Sequence, residues 1–139
     1  MVMNEIKRII IPVDGSSNSK KAVEKGAYLA KILGVNTTKI ITINDTHQFI
    51  SSVIIEDKLK KESQIFLDKF KKIAETYGVK VDTHLIAGKP AEEIINFVKQ
   101  GDLIVMAYHD DTKRIDYVIE KSVSYQIVEK APCSIVIIK

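Results

Sequence analysis

Short, continuous apolar runs alternate along the chain with longer stretches in which apolar positions return every three or four residues. The first run, Ile9-Ile10-Ile11-Pro12-Val13, ends in the polar turn Asp14-Gly15-Ser16-Ser17, the pattern of a strand buried on both faces and followed by a loop. Ala22, Gly26, Leu29, Ala30 and Leu33 then recur at helical spacing, and Gly34 stands where a helix C-cap belongs. Lys39 to Ile43 predicts a second strand. Leu59, Phe66, Phe70, Ile73 and Tyr77 mark one face of a long helix that stops at Gly78, and a third strand follows from Lys80 to Ala87. Pro90 suits the first position of the next helix, with Glu92 and Glu93 against its positive dipole end. Ala91, Ile94, Ile95 and Val98 give that helix an apolar face. Leu103 to Ala107 predicts a fourth strand, Val123, Ile127, Val128 and Ala131 outline a last helix, and Cys133 to Ile138 a fifth strand.

Strands that alternate with helices imply an α/β fold, because parallel strands need crossover connections whose helices cover both faces of the sheet. The expectation is a single domain over residues 1–139, a doubly wound five-stranded parallel sheet. A terminal strand that is apolar at nearly every position invites pairing with another chain when it lies at a sheet edge. The segment Cys133 to Lys139 therefore predicts a homodimer.

Composition narrows the classes without changing this picture. The 139 residues fit one hydrophobic core, and 45% hydrophobic and 28% charged residues are those of an ordinary globule. The N-terminal Met1 to Arg8 has no apolar signal-peptide region, and the longest apolar runs fall far short of the ~20 residues of a membrane span. The expectation is a cytoplasmic protein with no membrane partner. Accordingly, the sequons at Asn36 and Asn44 carry no glycosylation meaning. The net charge of +3 comes from basic residues mostly interleaved with acids. The basic stretch Lys58 to Lys72 reads as the solvated face of a helix, so no nucleic-acid partner is expected. The lone Cys133, in an apolar run, reads as a buried structural thiol.

In open α/β sheets ligands bind beyond the carboxyl ends of the strands, where strand order reverses. Two loops compete for that place, Asp14-Gly15-Ser16-Ser17 with Ser19 after the first strand, and Tyr108 to Arg114 after the fourth. His109-Asp110-Asp111 has ligand types that suit zinc, nickel or manganese, but three consecutive residues of one loop rarely converge on one ion, and no metal is assigned. His47 and His84 read as partly buried or surface residues. No nucleophile elbow, His-Glu-x-x-His pair or Gly-Lys phosphate loop occurs, and no catalytic residue is nominated.

Four pieces in order, Ile9-Ile10-Ile11-Pro12-Val13-Asp14-Gly15-Ser16, Gly88-Lys89-Pro90, Asp102-Leu103-Ile104-Val105-Met106, and Ser122-Val123-Ser124 leading to Ala131-Pro132-Cys133-Ser134-Ile135-Val136, resemble the universal stress proteins over the whole chain. The resemblance implies strand order 3-2-1-4-5, a dimer through the final strand and, in one branch, ATP between strands one and four. That branch carries Gly, two residues, Gly, about nine residues, then Gly and Ser or Thr, glycines that let backbone N–H groups approach phosphate oxygens. Here Ala107, Asp110 and Lys121 stand in their places, and the segment between His109 and Lys121 is slightly longer than the family spacing.

Asp110 and Asp111 add charge of the wrong sign. A like-charge pair at about 4 Å costs up to roughly 4 kcal/mol at an effective dielectric near 20, about a thousandfold in affinity. The nucleoside half is better kept, since by resemblance Val13 and Asp14 meet adenine and ribose, with Ile43 as a side wall. Ser122 and Ser124 stand ready to donate to a phosphate at a helix N-terminus. On the residues alone, Asp14 also fits the start of a turn and Ser122 a simple helix cap. The candidate degenerate adenine-nucleotide pocket comprises Pro12, Val13, Asp14, Ile43, Ala107, His109, Ser122, Val123 and Ser124. The expected function is a regulatory or protective dimer with weak or no ATP binding; the alternative is a module that binds ATP or AMP through a rearranged phosphate loop.

Overall fold

The computed structural model describes residues 5–45, 53–108 and 122–139. They form β1 (Arg8–Pro12), α1 (Ser17–Leu33), β2 (Thr37–Asp45), α2 (Val53–Glu75), β3 (Val81–Gly88), α3 (Pro90–Phe97), β4 (Asp102–Ala107), α4 (Val123–Lys130) and β5 (Ser134–Ile138). All strand pairs are parallel, in the order β3-β2-β1-β4-β5. This is the doubly wound α/β sheet that the alternating pattern predicts.

The continuous apolar runs are explained by burial on two faces. Along β1, Ile9 and Ile11 point into a cluster with Ala22, Val23 and Ala27 of α1 and Leu67 and Phe70 of α2. Ile10, between them, joins Ile94, Val98 and Ile127 on the opposite face. Ile40 and Ile41 of β2, and Leu103, Ile104, Val105 and Met106 of β4, divide in the same alternating way. α1 settles closely on β1 because Gly26 offers no side chain; a Cβ there would meet Ile11 Cδ1 at 2.5 Å.

Helix ends follow their expected signals. Gly34 closes α1 with φ 67° and gives its N–H to the carbonyls of Ala30 and Lys31. Pro90 occupies the first turn of α3, with Glu92 and Glu93 beside it.

The helix faces depart in detail from the periodic reading. In α2 the buried face is Ser63, Leu67, Phe70 and Ala74, while Leu59, Phe66 and Ile73, and Tyr77 just past its end, are half-buried. Leu33 lies in the last turn of α1 and is half exposed, whereas Val23 and Ala27 are buried. In α4 only Ile127 is buried; Val123 and Val128 face outward. Cys133 precedes β5 instead of opening it, and is half-buried where full burial was expected. Its thiol is pushed up by burial and by Asp102, which disfavours the reactive thiolate. The lysines of α2 from Lys58 to Lys72 are exposed except Lys71, which is half-buried.

The amino end of the sheet is locked by charge. Asp102 at the start of β4 has a side chain only 1% exposed. It accepts from Arg8 Nε at 2.8 Å and a terminal Arg8 nitrogen at 2.7 Å, and from the Lys99 N–H at 2.8 Å. The paired carboxylate raises the Arg8 pKa. The Arg8 guanidinium lies 5.5 Å from the Phe97 ring centroid, and the His84 ring centroid lies 5.3 Å from it.

Candidate functional site

β2 lies to one side of β1 and β4 to the other, so the chain reverses its winding between β1 and β4. In open sheets of this kind such a reversal places a crevice beyond the carboxyl ends of the two strands. α1 leaves the crevice directly after β1. α4 descends to the amino end of β5, which leaves its own N-terminus, Ser122, at the same end of the sheet.

After Pro12 the chain keeps its pairing for one more residue. Val13 donates its N–H to the Ile41 carbonyl at 2.8 Å, and its carbonyl accepts from Thr42 Oγ1 at 2.8 Å. Its side chain is buried against α1 and α2. Thus Val13 braces the floor of the crevice with its backbone and its buried isopropyl group. Asp14 then turns outward. Its Oδ1 accepts from the Ser16 N–H at 3.0 Å and from Ser19 Oγ at 2.8 Å, while its own N–H is given to Ser19 Oγ at 3.0 Å. Ser16 caps α1 by accepting from the Ser19 N–H.

Between Asp14 and Ser16, Gly15 takes φ 83°, and a Cβ there would sit 2.9 Å from Phe66 Cδ2. Only glycine satisfies both the left-handed turn and the approach of α2. On the neighbouring strand, Ser63 of α2 donates to Asn44 Oδ1 at 2.8 Å, tying the end of β2 to that helix.

Ile43 is half-buried at the margin of the cluster that faces α3 and α4, so it and the Val13 side chain serve opposite faces of the sheet. Ala107 ends β4 and is 4% exposed, packed in the cluster beneath α1. Its methyl group is therefore spent on the core. Ser122 caps α4, its Oγ accepting from the Tyr125 N–H at 3.1 Å. Val123 is exposed and Ser124 half-buried in the first turn.

His109, Asp110, Asp111, Lys121 and the rest of that loop lie outside the described residues, as does His47. Among the described residues no group of three or more His, Cys, Asp or Glu is arranged for a metal, and no helix is long and apolar enough to cross a membrane. His84 lies instead midway along β3, in register with Ile41, its Nε2 3.3 Å from Lys39 Nζ.

Ser19 is the site residue that periodicity undervalues. It is 1% exposed, with its hydroxyl directed at Asp14. The available signal is that Ser19 falls on the same helical face as Ala22, Val23 and Gly26, where a polar side chain needs a partner.

A doubly wound parallel α/β protein with a serine-held carboxylate just beyond β1, at its switch point, is the class these features define. The chain matches the universal stress protein family over residues 5–139 and belongs to that family. It is 34% identical to universal stress protein MJ0531 of Methanocaldococcus jannaschii, across 98% of this chain and 84% of that one. It is 26% identical to universal stress protein YxiE of Bacillus subtilis, across 95% and 98%. Among solved structures, universal stress protein UspA from Lactobacillus plantarum superposes with a TM-score of 0.75 at 17% identity, covering 97% of this chain and 99% of that one. A universal stress protein in complex with cAMP superposes with a TM-score of 0.74 at 19% identity, covering 96% and 97%.

Proposed function

We propose that the chain is a cytoplasmic, non-enzymatic regulatory or protective dimer whose crevice holds the adenosine part of an adenine nucleotide and grips a triphosphate weakly or not at all. The observation that carries this reading is the Asp14 carboxylate, fixed by Ser16 and Ser19 at the mouth of the crevice. An ionised carboxylate only accepts hydrogen bonds, so it suits a ribose hydroxyl and repels a phosphate. Ile43, on the adjacent strand end, offers an apolar wall for a base. On the other side of the crevice the sequence puts Asp110 and Lys121 where the ATP-binding branch has glycine. The fold neighbour that holds cAMP, a monophosphate, makes AMP and cAMP the natural probes.

The dimer part rests on β5, the outermost strand of the described sheet. Beside it α4 exposes Tyr125 by 54% and Val128 by 55%, apolar surface that a second copy would cover. Light scattering at micromolar concentration should give twice 15.6 kDa; a monomer would remove this part. For the phosphate loop, the test is the double substitution Asp110→Gly, Lys121→Gly. It should strengthen ATP binding by about tenfold or more while leaving adenosine unchanged. Unchanged or weaker ATP binding would instead favour a rearranged loop that already works.

A further inference from the structure

We propose that the outward face of α1 and the end of β5 form a second binding site, one that takes a small aromatic anion. The inference does not rest on the adenosine reading, because no residue lining this site belongs to the candidate crevice.

α1 packs against β4 and β5 as well as β1, so the last residues of β5 lie within reach of its side chains. An open cavity of about 400 Å³ occurs there, within the usual range of small-molecule sites, roughly 300–1,000 Å³. It is lined by Tyr28, Tyr77 and Ile138 and by the basic Lys21, Lys25 and Lys139, with Glu24 as the one acid among the described residues. Helical spacing puts Lys21, Lys25 and Tyr28 on one stripe of α1, away from the face of Ala22, Val23 and Ala27 that joins the core.

Two observations distinguish this cavity from a merely solvated surface. Among the described residues, the Lys21 and Lys25 side chains and the Tyr28 and Tyr77 hydroxyls make no hydrogen bond or ion pair, and neither lysine pairs with Glu24 one turn away. The charges are also unequal, three side-chain ammoniums against one carboxylate. One of the three is held in place beforehand, since Lys139 Nζ lies 5.7 Å from the Tyr108 ring centroid. A ligand ring would pack against the tyrosines, and its anionic group would accept from ammoniums, which only donate. A neutral ring or a bare anion would meet only half of these groups.

The probe is phenyl phosphate, with phenol and inorganic phosphate as its two halves, titrated into the isotope-labelled wild-type protein and followed by backbone amide NMR signals. Phenyl phosphate should shift the amides of Lys21 to Tyr28 and of Ile138 and saturate with a dissociation constant of about 1 mM or below, each half binding at least about tenfold more weakly. Lys25→Ala and Tyr28→Ala, at exposed positions, should keep the wild-type thermal unfolding and weaken phenyl phosphate by about threefold or more. Glu24→Gln removes the opposing charge and should tighten it by about twofold. The proposal is overturned if phenyl phosphate causes no saturable shift at these amides, if its shifts centre on Asp14 and Ser122 instead, if either half binds as well as the whole, or if Lys25→Ala and Tyr28→Ala bind like wild type.

Discussion

The two ends of the sheet use their polar residues in opposite ways. At the amino end, Arg8 and Asp102 meet in a two-point ion pair, and Asp102 is withdrawn from solvent. At the carboxyl end, Asp14 is held by a hydroxyl and a backbone N–H and stays exposed. The first arrangement ties β1 to β4 where the register aligns Arg8 with Asp102. The second leaves a fixed acceptor facing the crevice. A carboxylate matched to an internal cation and withdrawn from solvent is committed to the fold, whereas one held at the surface by a hydroxyl and an N–H stays within reach of a ligand.

The largest effect should come from unmatching the amino end. Arg8→Ala leaves a buried carboxylate without its cation and should cost about 3–5 kcal/mol in urea unfolding, with adenosine affinity of the folded fraction unchanged. A loss below about 1 kcal/mol would place this pair among ordinary surface ion pairs and erase the contrast.

Next is Gly15→Ala, which forces an L side chain to φ 83° and brings its Cβ to 2.9 Å from Phe66. The expected cost is about 1–2 kcal/mol, and in contrast to Arg8→Ala it should also weaken AMP. Equal ligand binding in this variant would mean that the turn supports the fold and not the site.

Also toward the amino end, in register with Ile9 and Val81, the Thr38 hydroxyl is buried without a hydrogen-bond partner among the described residues. Thr38→Val removes that unsatisfied group at nearly constant shape and should raise stability by about 1 kcal/mol. A decrease would show that the hydroxyl is bonded in solution.

The smallest effect is a pH dependence midway along β3. Burial first, then Lys39, lowers the His84 pKa from its ordinary value of 6.5, with Asp82 opposing and Arg8 reinforcing the shift. Because the folded state disfavours the proton, this contribution is complete above pH 6.5 and is lost as pH falls below it. Lys39→Met should flatten that acid-side decline and raise the His84 pKa in an NMR titration. An unchanged His84 titration in this variant would break the assignment to Lys39.

How much of this was legible in the sequence depends on the range of the interaction. Runs such as Ile9-Ile10-Ile11 and local punctuation such as Gly34 and Pro90 act within a few residues, and they predict the strands, caps and α/β order. Strand order itself rests on the family resemblance. Leu33 and Val128 show the limit of periodicity: the spacing marks a helix face, but not where the sheet beneath it ends. Arg8 and Asp102 are 94 positions apart, and nothing local pairs them. At the candidate site, the turn made by Asp14 and the cap made by Ser122 are readable locally, whereas the burial of Ala107 in the core cluster is not. Ser19 reads as one more loop polar residue until its burial is seen.

The most direct test of the central claim compares AMP and magnesium-ATP by titration calorimetry on the nucleotide-stripped wild-type protein. A crevice that holds adenosine without a working phosphate cradle should bind ATP no more than about threefold tighter than AMP. ATP binding tighter than AMP by about a hundredfold or more, over 2 kcal/mol from the added phosphates, would contradict it and make the loop from His109 to Lys121 a functioning phosphate site.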